Sequence, residues 1–220
     1  MKFKSSIFVC LLLVTSLVQS QQYKQLFNGK DLKGWYLYLQ PGVGSQNPDS
    51  AFIVQDSVLY VTGKSVGYIA TEKEYRNFHL IMDFKWGETK YPPRLKEKRD
   101  SGILYYFAKG NKDKIWPRAY ECQIQEGDCG DFWLADSIGI DVKGKRFMRE
   151  RVIKMTDAEK PNGEWNRLEV IAVNGKCTHK MNGVIVNEGT GANVNSGKIA
   201  IQTEAAEMYF KNIRIAEITR

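Results

Sequence analysis

Apolar and polar positions alternate along this chain in short runs, without the three-to-four spacing of a helix. The clearest run is 78–86. Phe78, Leu80, Met82, Phe84 and Trp86 fall on one side, and His79, Asp83 and Lys85 on the other. This two-residue period predicts a strand with one face in a core. Runs 168–173 and 177–181 flank Asn174-Gly175, a dipeptide suited to the left-handed backbone of a tight hairpin. Asn182-Gly183 predicts a second turn, into Val184-Ile185-Val186. Runs 52–61, 103–107, 120–125, 198–203 and 208–218 complete the set of strands. Many short strands joined by Gly and Asn turns predict an all-β fold, a sandwich or jelly roll. No repeat or linker marks a second domain. The longest irregular segments, 87–99 and 144–165, are the loops expected to carry function.

The first twenty residues read differently. Lys2 and Lys4 precede an apolar run from 7 to 17, and Val18-Gln19-Ser20 supplies small residues for a signal peptidase. The expectation is a signal peptide at 1–20, cleaved after Ser20, and one domain at 21–220. The run is shorter than the roughly 20 apolar residues of a bilayer span. An exported protein, periplasmic or extracellular, follows as an expectation. Removing the leader takes away two lysines and no acid, so the net charge of +7 becomes a mild excess. The basic residues of 85–99 are diluted by Glu88 and Glu97, which argues against a nucleic-acid surface. Cys122, Cys129 and Cys177 remain, an odd number that reads as buried free thiols.

Chemistry concentrates in 120–133. Tyr120, Cys122 and Ile124 alternate toward a core, which turns Glu121, Gln123 and Gln125 to the other face. Glu126, Asp128, Asp131, Phe132 and Trp133 follow. Carboxylates accept hydrogen bonds from sugar hydroxyls, and an indole packs on the C–H face of a sugar ring. Gln202 and Glu204 alternate away from Ile199 and Ile201 and are candidates for the same groove. Two histidines, His79 and His179, are too few for a multi-histidine zinc site. Asp128 and Asp131 are candidate calcium ligands, although the helix-loop-helix calcium pattern is missing. His179 reads as a core histidine or as a base.

Several blocks resemble the 3-keto-disaccharide hydrolase domain family. They are 26–35 (LFNGKDLKGW), 99–105 (RDSGILY), 121–124 (ECQI), 163–166 (GEWN), Asn182-Gly183, 197–202 (GKIAIQ) and the closing 210–213 (FKNI). The resemblance runs through nearly all of the chain after residue 20. It implies a concanavalin-like jelly roll of two antiparallel sheets with a concave groove for a small sugar, in an exported protein of Bacteroidota type. It also implies cleavage of glycosides oxidised at C3. Glu126 stands where many relatives carry Asp, and Asp100 where many carry Asn.

Such cleavage needs a base for the C2 hydrogen, a group to hold enolate charge and a proton donor for the leaving oxygen. The expected base is Glu121 or His179. Lys85 or Arg99 would hold the enolate, and Glu204 or Asp131 would protonate the leaving group. Ser101, Tyr105, Gln123, Glu126, Trp133 and Gln202 would bind sugar. Arg99-Asp100 also reads as an internal ion pair that orders its loop. Two other readings stay open. One is a laminarinase-like glycosidase, from the carboxylates of 126–131. The other is a carbohydrate-binding module, which would present aromatics without coupled ionisable groups.

Overall fold

The computed structural model describes residues 22–40, 50–107 and 114–219. The expected signal peptide lies outside the described residues. Among those described, every regular element is a strand, and no helix is long and apolar enough to cross a membrane.

Two antiparallel sheets make up the sandwich. The first runs in the order β15 (Val184–Gly189), β14 (Lys176–Met181), β13 (Asn166–Val173), β6 (Phe78–Lys90), β17 (Ala206–Glu217), β4 (Val58–Val61), β3 (Phe52–Gln55), with β1 (Lys24–Gln25) also pairing with β17. The second runs β12 (Arg151–Val152), β9 (Phe132–Leu134), β8 (Tyr120–Gln125), β7 (Asp100–Phe107), β16 (Lys198–Glu204), β5 (Val66–Thr71), β2 (Trp35–Leu39). A separate hairpin pairs β10 (Gly139–Val142) with β11 (Lys145–Met148). The architecture is the expected jelly-roll sandwich.

Alternation builds the core. The five apolar side chains of β6 from Phe78 to Trp86 are buried and meet Ile103 and Tyr105 of β7, Tyr120, Cys122 and Ile124 of β8, and Ile199 and Ile201 of β16. A fully buried side chain of this size contributes about 1.5–3 kcal/mol. Both predicted turns form. Asn174 and Gly175 have φ of 48° and 76°, and Asn182 and Gly183 have 50° and 86°. The three cysteines are free and buried, as their odd number suggested.

Two expectations need correction. The single run 52–61 is a hairpin, β3–β4, because Asp56 and Ser57 take φ of 52° and 62° and turn the chain back. Their polar side chains form a turn without the glycine that would have marked it. The segments expected to be irregular are partly strand: 87–90 continue β6, and 144–165 contains β11 and β12.

Candidate functional site

The site is built on the outward face of the second sheet. Side chains that alternate away from the core there are Asp100, Gly102 and Leu104 on β7, Glu121, Gln123 and Gln125 on β8, and Ala200, Gln202 and Glu204 on β16. Strand register sets them in rows. Trp133 lies opposite Glu121, Glu121 opposite Leu104, and Leu104 opposite Ala200. Asp100 lies opposite Gln125, and Gly102 opposite Gln123. A cavity of about 310 Å³ opens over these rows, lined by Asp100, Leu104, Glu121, Gln123, Gln202 and Glu204, with Trp116 and Trp133 among its walls. That volume is at the lower end for small-molecule sites.

The charged groups converge at one end. Arg94, from the loop after β6, contacts the carboxylates of both Asp100 and Glu204, the latter at 2.8 Å. Gln123 and Gln125 donate to the two Asp100 oxygens at 2.9 and 2.8 Å. Two carboxyl groups therefore share one guanidinium, and a third, Glu121, feels their charges. Burial, then the nearby charges of Glu204 and Asp100, raises the Glu121 carboxyl well above its ordinary range. Burial and the Asp100 charge push Glu204 up to about 7, against the opposing pull of Arg94. Burial also raises Asp100, although Arg94 and Gln125 oppose it. A set of carboxyls held this way can exchange protons near neutral pH.

Two further details point to a ligand. The side-chain oxygens of Gln123 and Gln202 are buried without a hydrogen-bond partner. An unmet buried acceptor costs about 1–3 kcal/mol, and a sugar hydroxyl would satisfy it. The lack of a side chain at Gly102 lets Glu121 and Gln202 close over it. A Cβ at this position would fall 2.1 Å from Oε1 of Glu121 and 2.2 Å from Oε1 of Gln202. Any other residue would push both side chains away.

Of the residues expected at the site, Glu121, Gln123, Trp133, Gln202 and Glu204 line the cavity. The others lie elsewhere. His179 stands on β14 of the first sheet and points into the core, fully buried. Its Nδ1 is 3.0 Å from the Gly130 carbonyl and its Nε2 3.0 Å from the Tyr105 hydroxyl. The carbonyl can only accept, so Nδ1 carries the proton and Tyr105 donates to Nε2. Burial lowers His179 to about 4, so it is neutral and structural. Tyr105 is thus a core residue, as is Ser101, whose hydroxyl donates to the Gln202 carbonyl. Their odd positions on β7 put them on the inner face.

Lys85 belongs to the first sheet and sits over the rings of Tyr209 and Trp165, 4.9 and 5.3 Å from their centres. Arg99, the residue before β7, does not pair with Asp100, whose carboxylate is taken by Arg94, Gln123 and Gln125. It binds Glu126 at 3.2 Å and the Gly87 carbonyl at 3.1 Å. Glu126 also accepts from Asn162 at 2.5 Å, and it does not line the cavity. Asp131 is fully buried and bonds to Arg151 at 2.5 Å and to the Lys154 amide at 2.7 Å. Asp128 bonds to Lys98 at 2.7 Å and to Arg151 at 2.9 Å. These cations occupy the oxygens assigned to calcium. Among the described residues, no group of three or more His, Cys, Asp or Glu side chains is arranged to hold a metal ion.

Sequence reasoning missed Arg94, Gly102, Leu104 and Trp116, placed Gln125 on the right face without giving it a role, and gave Asp100 only a loop-ordering role. The alternation of β7 was available for Asp100, Gly102 and Leu104. No sequence pattern brings Arg94, in a proline-flanked loop, to the acids of two other strands.

Fold and site together define a jelly-roll protein whose sheet face carries converging carboxyls at one end of a cavity and exposed indoles at the other, the arrangement of a carbohydrate-active protein. The chain belongs to the 3-keto-alpha-glucoside-1,2-lyase-like domain family, whose pattern matches residues 22–216. Among solved structures, a candidate glycosyl hydrolase from Parabacteroides distasonis is similar at 23% identity and a TM-score of 0.64, covering 90% of this chain and 94% of that one. A Bacillus licheniformis beta-glucanase aligns at 10% identity and 0.54, covering 92% and 100%. The carbohydrate-binding module CBM66 from Bacillus subtilis aligns at 11% and 0.53, covering 84% and 96%. These likenesses establish the fold. No curated protein matches the chain.

Proposed function

We propose that this protein cleaves 3-keto-glycosides by elimination between C1 and C2. The observation that carries the reading is one cavity lined by Asp100, Glu121 and Glu204, with Arg94 bound to the carboxylates of Asp100 and Glu204. A ketone at C3 acidifies the C2 hydrogen. Glu204, poised near neutrality, takes that proton and leaves an enolate across C2 and C3. Arg94 and the cavity amides hold the enolate charge. The enolate then re-forms the C3 carbonyl, a C1–C2 double bond appears, and the C1–O bond breaks. Glu121, which burial keeps protonated, gives its proton to the departing oxygen. Water adds back with hydroxyl at C1 and the Glu204 proton at C2, while the remaining proton restores Glu121. The net result is hydrolysis.

The coupled carboxyls favour this reading over a binding module, which has no use for them. The laminarinase-like reading rested on 126–131, and Glu126, Asp128 and Asp131 there are held by Arg99, Lys98 and Arg151 outside the cavity. Export to the periplasm or beyond remains part of the proposal, on the strength of residues 1–20.

The test incubates the protein from residue 21 with a 3-keto-glucoside, the parent glucoside and a β-glucan. Cleavage of the keto sugar alone is expected. Equal cleavage of the unoxidised glucoside overturns the reading, and binding without turnover on all three favours the module.

A further inference from the structure

The cavity has two unlike ends. Asp100, Gln123, Gln125, Gln202 and Glu204 crowd one end, and Arg94 closes on it. At the other end stand Leu104, Trp116, Pro117, Ala135 and Trp133. Glu121 lies at the boundary, since its register partners are Trp133 on one side and Leu104 on the other. The apolar floor continues beyond Leu104 through Ala200, Ala70 and Ala119, all buried in one cluster with Tyr68 and Phe107.

The two halves of a glycoside make opposite demands. The reacting ring brings hydroxyls and a ketone, and the amide and carboxyl end satisfies them. A second sugar as leaving group would bring hydroxyls of its own. Leu104, Pro117 and Ala135 offer such groups no side-chain partner, and unpaired hydroxyls are costly to bury. A flat apolar group has no such cost. Trp116 and Trp133 are 51% and 41% exposed, so their rings have free surface to stack on it.

We infer that the apolar end is the leaving-group seat, and that the preferred substrates are glycosides with an aromatic or apolar aglycone. The inference rests on the elimination reading for its chemistry and on the cavity walls for its specificity. In this geometry Glu121 faces the bond to the aglycone, and the ring lies toward Glu204.

Two 3-keto-glucosides test it, in both anomers. One carries a benzyl group and the other a second glucose. Benzyl alcohol is no better a leaving group than a sugar hydroxyl, so any preference reports binding. The benzyl compound is expected to have a kcat/KM at least tenfold higher. Trp116→Ala and Trp133→Ala should each remove most of that advantage and change the disaccharide less than threefold. Equal rates, or an equal loss on both substrates, overturn the inference.

Calorimetry with unoxidised benzyl and methyl glucosides reads the seat without turnover. If neither keto sugar is cleaved, the elimination reading fails alone. The seat then stands on tighter benzyl binding that is lost in the two variants, and it falls if benzyl and methyl bind alike.

Discussion

Two adjacent acidic stretches, 121–125 and 126–131, look alike in sequence and end in opposite states. In the first, Glu121 lies on a strand face above a cavity, and its neighbours are other acids. In the second, each carboxylate bonds to a cation: Glu126 to Arg99, Asp128 to Lys98 and Arg151, Asp131 to Arg151. Burial pushes Asp128 upward, yet Lys98 and Arg151 together hold it below its usual range. The Glu121 carboxyl moves the other way. What separates them is backbone. The strand ends at Gln125, and Gly127 and Gly130, with φ of 81° and 100°, coil the chain so that its acids meet loop cations. A carboxylate with its charge paired stabilises; one left among like charges is free for proton transfer.

The strongest way to break this contrast is to neutralise one acid from each stretch. Glu121→Gln should lower kcat on a 3-keto-glucoside by about a thousandfold, the mid-range for a proton-transfer group, with an unchanged melting curve. Asp131→Ala should do the reverse. It strips a buried carboxylate from Arg151, so stability in urea should fall by about 3 kcal/mol. Turnover per folded molecule should stay within twofold.

Gly102→Ala sharpens the comparison. Its φ is not left-handed, so the new methyl meets only the ends of Glu121 and Gln202. The expected result is a roughly tenfold or greater loss of kcat/KM with about 1 kcal/mol of destabilisation, since the atoms that must move are side-chain ends. Full activity would show that the close packing of Glu121 and Gln202 over Gly102 has no role.

Glu204 provides the pH test. The free protein should lose activity on the acid side of about pH 7, where the base becomes protonated. Arg94→Met removes the charge that pulls Glu204 down, so the limb should move to higher pH. The stability sign is opposite to that of an acid held below its usual range, such as Asp128. The folded state keeps this proton up to about 7, and the unfolded chain releases it in the ordinary carboxylate range. The group's contribution is therefore complete at low pH and is lost as pH rises through 7. The smallest expected effect is Lys98→Met. Its ammonium is about half exposed, so the change should cost less than about 1 kcal/mol in the same melt.

The fold was largely legible, because period-two alternation and Asn-Gly turns are local. Phe78 to Trp86 and the hairpin at Asn174-Gly175 needed no partner to be read. The site was half legible for the same reason. Glu121, Gln123, Gln202 and Glu204 follow from which face a strand residue takes. The misassigned residues depend on packing between distant elements. His179 alternates correctly, but sequence does not say that its face is the one opposite Tyr105. Nor does it say that Arg94, and not Arg99, pairs with Asp100, or that Asp131 meets Arg151.

The missing side chain at Gly102 has one more consequence. The groups that close over it come from the strands on either side, Glu121 from β8 and Gln202 from β16. The inward face of the same strands builds the main core. A lineage built on this scaffold can explore new glycosides while that hidden face stays fixed, but Arg94, Asp100, Gln123, Gln125 and Glu204 are bonded across strands and must change together.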